Sequence, residues 1–287
     1  MIELAFGRQL DEAFLRSVAD ITNDVGTKRS TPGQGPHHST TKALKAWAHD
    51  TEHRLRGVVP SSELQRLVYT RRYWYVGESN DQLAQIEMED AYHRWNAELD
   101  ELKGWQRRWA GEATVVVPDT SVVIRHPGNE FADVNWHAMS GAMKDMAIRV
   151  VVPMVVLDEL ENQKDRGSTK IPDGQKYAAS TKARHALRYL AGLFGGHGDP
   201  RRPARLGINY VAIAPTVEVL EDPSGPYVRY PRADDELIRR AVMLRVTTSL
   251  RVVLLTYDVA MSTRAQIEQL DVVLHGGDDG AVSSFYG

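Results

Sequence analysis

From Ala113 onward, short unbroken runs of valine and leucine alternate with helix-patterned segments, and that alternation leaves few folds open. The runs are Thr114–Val117, Arg149–Val152, Tyr210–Ile213, Val217–Leu220, Val252–Thr256 and Asp271–Leu274. Between them, helices are expected near Val134–Met146, Val155–Lys164, Gln175–Phe194, Asp234–Val246 and Ala260–Leu270. Strands alternating with helices predict an α/β domain with a parallel sheet, joined by right-handed crossovers. Runs without polar interruption fit strands buried on both faces.

The first 110 residues read differently. They hold five of the six tryptophans (Trp47, Trp74, Trp95, Trp105, Trp109) and no strand-like runs. A helix is expected from about Asp11 to Thr22. A loop follows over Gly26–Ser39, which is rich in glycine and proline. Thr40 or Thr41 is placed to cap a helix ending near Arg56, and Ser61 or Ser62 one ending near Trp74. A long helix is predicted from Asn80 to Trp109, because Ala84, Met88, Ala91, Trp95, Leu99 and Leu102 recur at spacings of three and four. The expected organisation is an all-helical domain over 1–110 and an α/β domain over 113–287. The helical part carries 15 Lys or Arg against 16 Asp or Glu. Its near neutrality argues for a protein-partner, self-association or regulatory role rather than a nucleic-acid clamp.

Composition closes other classes. There is no cysteine, which excludes disulfides and thiolate metal sites. The amino-terminal stretch Met1–Arg8 has no basic segment followed by a long apolar one, and no run of about 18 apolar residues occurs. No signal peptide or membrane span is therefore expected, and the expected compartment is the cytoplasm. Net charge is −3, but from Asn162 to Arg205 ten Lys or Arg face three acids (Asp165, Asp173, Asp199). Such a basic stretch is either a phosphate-steering surface or a solvated helix face with a loop. The histidines, His126 and His137 among them, show no ligand spacing.

Four acidic positions carry the chemical signal. Asp119 follows the first run in Pro118-Asp-Thr-Ser121, and Glu159 lies in Val155-Val-Leu-Asp-Glu-Leu160. Asp235 lies in Ala233-Asp-Asp-Glu-Leu-Ile238, and Asp258 ends Thr256-Tyr-Asp258. A parallel sheet gathers its ligand sites at the carboxyl ends of its strands, so acids far apart in sequence are brought to one edge. Glu161 lies about 200° round the helix from Glu159, so only one of the two enters the cleft readily. Asp234 and Asp235 also suit a helix amino terminus whatever their role. Carboxylates without sulfur ligands suit Mg²⁺ or Mn²⁺.

Taken together, these four segments resemble the PIN domain family of metal-dependent nucleases over about 113–276. The wording around Glu159 looks closest to the PIN domains associated with PhoH-type ATPases, although no phosphate-loop motif of an ATPase is present. The resemblance implies a parallel sheet of four or five strands and metal-dependent hydrolysis of RNA. Asp119, Glu159, Asp235 and Asp258 would be the catalytic metal ligands, with Asp234 a further candidate ligand. Thr120, Ser121 and Thr256 match its polar supports. Lys176, Arg184, Arg188, Arg201 and Arg202 would hold the substrate. Single-stranded DNA is the alternative substrate. A non-catalytic nucleic-acid-binding or assembly protein and a structure-specific DNA nuclease are the alternative functions.

Overall fold

The computed structural model describes residues 2, 4–5, 8–30, 39–77, 80–166, 178–195, 199–207, 213–223, 227–276 and 282–283. The chain divides into two compact units, one made of Met1–Ala110 with Val246–Thr248, the other of Gly111–Arg245 with Ser249–Gly287. No helix among the described residues is long and apolar enough to cross a membrane.

The first unit is helical: α1 (Glu12–Ser30), α2 (Thr40–Leu55), α3 (Ser61–Leu67), α4 (Arg71–Tyr75) and α5 (Asp81–Arg108). Asn80 starts α5 by accepting the Leu83 N–H, and Arg107 and Arg108 lie in its last turn, where the helix dipole favours cations. Its expected stripe from Ala84 to Leu102 is buried, and the core around it includes Trp47, Val18, Ile21 and Leu44. Trp47 and Trp95 are fully buried. At roughly 150–250 Å² each, their burial contributes at most about 4–6 kcal/mol apiece.

Three sequence expectations are corrected here. Helix α1 does not stop near Thr22 but runs through Gly26 to Ser30. Glycine there is a packing choice: a Cβ on Gly26 would stand 2.9 Å from the Tyr92 ring on α5. The helix expected over 61–74 is two short helices, the second started by Thr70, which accepts the Tyr73 N–H. Helix α2 is capped by Ser39, not by Thr40 or Thr41.

The second unit alternates as expected: β1 (Ala113–Pro118), α6 (Thr120–Arg125), α7 (Asn129–Ala132), α8 (Trp136–Ser140), β2 (Ala147–Pro153), α9 (Met154–Asp165) and α10 (Ala179–Gly195). Then come β3 (Ala204–Arg205), β4 (Thr216–Leu220), α11 (Ala233–Thr248), β5 (Arg251–Thr256), α12 (Val259–Ile267), β6 (Asp271–His275) and β7 (Val282–Ser283). The sheet has seven strands in the order β3-β4-β2-β1-β5-β6-β7. The central five pair in parallel, and the short edge strands β3 and β7 pair antiparallel. The four or five expected strands thus match the parallel core, while the two-residue edges are too short for a periodic signal. Of the strand expected at 210–213, residues 210–212 lie outside the described residues. The helix expected over 134–146 is only five residues long, because Gly141 takes a left-handed conformation and ends it.

Val115–Val117, Val150–Val152 and Val253–Leu255 are fully buried, as strands covered on both faces must be. The chain winds from β1 out to β2 and β4, then crosses back to β5 on the other side of β1. The strand order therefore reverses between β1 and β5, the place where open α/β sheets leave a crevice for ligands.

Candidate active site

Asp119 is the first residue beyond β1. Its N–H extends the β1–β5 ladder by donating to Leu255 O at 2.9 Å, so its backbone is fixed at the switch point. It occupies the cap position of α6, yet its carboxylate makes no capping bond to that helix. Instead Oδ2 accepts from Ser121 Oγ at 2.6 Å and from Thr256 Oγ1 at 2.9 Å. Both hydroxyls are themselves oriented: Ser121 Oγ accepts the Tyr257 N–H at 3.4 Å, and Thr256 Oγ1 accepts the Asp258 N–H at 2.9 Å. A hydroxyl that accepts on one side is set to donate on the other. Thr120, the next residue, donates through Oγ1 to Glu159 Oε2 at 2.5 Å, joining α6 to α9.

Electrostatics single out three acids. Burial pushes the Asp119 carboxyl above the ordinary carboxylate range; Ser121, Thr256 and the Thr120 N–H offset part of this, and the charge of Asp234 adds to it. Burial also raises the Glu159 carboxyl, which feels the negative charges of both Asp119 and Asp234. The three stand close enough to repel one another, and each comes from the carboxyl-end side of a different strand: β1, β2 and β4.

The other predicted site residues fall as follows. Asp235 lies beside Asp234, and Arg264 of α12 holds both, with Nη2 at 2.6 Å from Asp234 and Nε at 3.3 Å from Asp235. The third acid whose field reaches Asp119 and Glu159 is thus Asp234, which the sequence reading placed second to Asp235. Asp258 is exposed and caps α12, accepting the Met261 N–H at 3.0 Å. Beside Glu159, Asp158 is turned to Arg229, and Glu161 is exposed and paired with Lys164. Among the described residues, no three His, Cys, Asp or Glu side chains stand together at metal-holding spacing.

In the basic segment, Arg184 and Arg188 lie one turn apart on α10 and are exposed. Arg202 is exposed as well. Arg201 is engaged by Asp199 at 2.9 Å and by Glu221 at 3.7 Å, so its charge is largely met within the chain. Lys176 lies outside the described residues.

A family model of the PIN domain matches residues 116–274, from within β1 to the end region of β6. The chain belongs to the PIN domain family. Its second unit therefore has a nuclease-type fold, with the Asp119 edge at the position where the PIN sheet reverses its strand order. No curated protein matches the chain. Among solved structures, one similar chain is a domain of a functionally unknown protein from Methanocaldococcus jannaschii DSM 2661. It is 18% identical, covers 61% of this chain and 100% of its own, and has a TM-score of 0.34. Another is from the tetrameric eIF2B-beta2-delta2 complex of C. thermophilum. It is 12% identical, covers 89% of this chain and 70% of its own, and has a TM-score of 0.22.

Sequence reasoning missed two basic residues at this PIN edge. Arg264 reaches back 30 positions to Asp234, and Arg229 joins Asp158 to Asp222. Neither carries a spacing signal: Asp234 and Asp158 lie on other elements, and Asp222 is seven positions from Arg229 in the segment between β4 and α11.

Proposed function

We propose that this PIN domain is a metal-dependent ribonuclease whose reaction centre is built on Asp119, Glu159 and Asp234, with Asp235 and Asp258 at its margin. One observation carries the reading. Asp119 is only 7% exposed and meets two hydroxyls and the Thr120 N–H, where the other acids of comparable burial among the described residues meet cations or phenols. Its neighbours in the field, Glu159 and Asp234, repel it. Leaving a buried carboxylate so poorly compensated costs stability unless a cation is meant to arrive.

The donor set fits Mg²⁺ or Mn²⁺: it consists of hard oxygens alone, with Asp119 and Glu159 partly desolvated. Asp119, Glu159 and Asp234 would hold the ion. When bound, such a cation supplies charge neutralisation at phosphate and a more acidic water. The chain's own residues do the rest. Thr256 and Ser121 fix the orientation of the Asp119 carboxylate, and Thr120 fixes that of Glu159. Arg264 holds Asp234 at the edge. Arg184, Arg188 and Arg202 offer exposed charge to the phosphates of a strand.

Cleavage of RNA and of single-stranded DNA, assayed side by side with Mn²⁺, Mg²⁺ or EDTA, tests the reading. RNA cleavage with either metal and none in EDTA is expected. Activity that survives EDTA, or cleavage of DNA alone, would overturn it.

A further inference from the structure

One cation at this edge stands apart from the basic segment. Arg125 ends α6, the helix that opens with Thr120, and its side chain is exposed. Its guanidinium carbon lies 4.0 Å from the centroid of the Tyr257 ring, within cation–π range. Among the described residues no carboxylate pairs with Arg125. That differs from Arg149, Arg201, Arg229, Arg251 and Arg264 of the same unit, all of which are held by acids.

Tyr257 is a firm seat. It lies in the chain between Thr256, which donates to Asp119, and Asp258. Its N–H donates to Ser121 Oγ at 3.4 Å, and the His275 ring packs against it with centroids 5.5 Å apart. His275 is itself placed by a 3.3 Å contact between its Nε2 and Met139 O. A guanidinium lying over an aromatic face leaves its N–H donors pointing outward in the ring-parallel plane. That arrangement suits the forked recognition of a phosphate, and the stack removes much of the rotamer freedom that binding would otherwise have to freeze.

We propose that Arg125, seated on Tyr257, grips a backbone phosphate of a single-stranded nucleic acid as the strand enters the acidic edge. The grip rests on the nuclease reading and adds to it a contact point on α6, separate from the α10 arginines. It balances the edge electrically. Three acids repel a polyanion, and a preorganised cation beside them lets the strand approach. Tyr257 is here a positioning residue that acts through Arg125.

The test measures binding of a short fluorescent single-stranded RNA across a salt series, using full-length protein carrying Asp119→Asn so that the probe stays intact. Cleavage by the wild-type protein is followed in parallel. Arg125→Ala should weaken binding roughly tenfold and reduce the log–log salt slope by about 0.7, one phosphate on a single strand. Arg125→Lys should keep the slope, because the charge remains, while losing part of the affinity. Tyr257→Leu should weaken binding with little change in slope, and Tyr257→Phe should behave as its parent. If the wild type cleaves RNA but Arg125→Ala binds with unchanged affinity and slope, the grip is wrong and the nuclease reading stands. If neither binding nor cleavage is found in the parent proteins, both fall together.

Discussion

Both units bury acidic side chains, and they treat them differently. In the helical unit Glu87 of α5 is 1% exposed. It accepts from Arg94 at 2.6 Å and from Thr70 Oγ1 at 2.8 Å. Glu98 and Glu63 share Arg66, at 2.6 and 2.7 Å. Every one of these acids has a cation. At the sheet edge Asp119 has two hydroxyls, the Thr120 N–H and two repelling acids, Glu159 and Asp234. The same sheet also shows the paired solution: Glu218, fully buried in β4, is held by Arg149 of β2 at 2.5 Å. Burial of an acid therefore does not by itself mark a site. A buried acid without a cation, set among other acids, is the informative case.

The largest expected effect that would break this contrast is on activity. Asp119→Asn should lower RNA cleavage by about a thousandfold or more, on the scale of losing a principal electrostatic group in a reaction centre. Retention of the wild-type rate in a single-turnover assay would mean that Asp119 is a structural acid like Glu87.

Next is stability in the helical unit. Glu87→Gln strips Arg94 of its acid and Arg72 of its more distant one, while Arg72 keeps Asp90. It should destabilise by about 3 kcal/mol, the lower part of the range for breaking a buried pair, because both arginines reach water. Urea unfolding measures this, and a loss under about 0.5 kcal/mol would erase the distinction between the two kinds of acid.

The smallest effect has the opposite sign. Without added metal, Asp119→Asn should raise the melting temperature at neutral pH, by roughly 2–4 °C for each kcal/mol of repulsion relieved. The direction follows from proton linkage. The Asp119 carboxyl is raised above 3.8 in the folded state, so the folded protein binds the proton more tightly than the unfolded chain. Wild-type stability from this group therefore grows as pH falls through the raised value, and the advantage of the asparagine variant should shrink towards pH 3.8 and below. An advantage that widens on acidification would contradict the assigned cause.

The parallel core was legible because valine runs without polar breaks have one stable use, a strand covered on both faces. The order of acids along the chain was legible for the same reason: strand ends converge. The hydroxyl partners Thr120, Ser121 and Thr256 came with the family resemblance, but the cationic partners of those acids were not legible. Asp234 and Asp235 are adjacent in sequence, and only the fold places Arg264 against both and sends the field of Asp234 towards Glu159. The hydroxyl bridge from Thr256 to Asp119 spans 137 positions, so Thr256 was legible through the family resemblance and not through any local pattern. Composition also misled at Gly26, where a glycine in a Gly/Pro-rich stretch reads as a turn and is a helical contact.

That glycine has a mechanical consequence. The Tyr92 ring that occupies the place of its missing methyl also lies beneath Arg29, 4.1 Å from the ring centroid, and Arg29 reaches Glu89 at 2.6 Å. Adding one carbon at position 26 would swing the ring and pull the cation and its acid with it. The most permissive residue of that stretch thus acts as a keyway between two helices, and position 26 accommodates an added carbon less readily than its composition suggests.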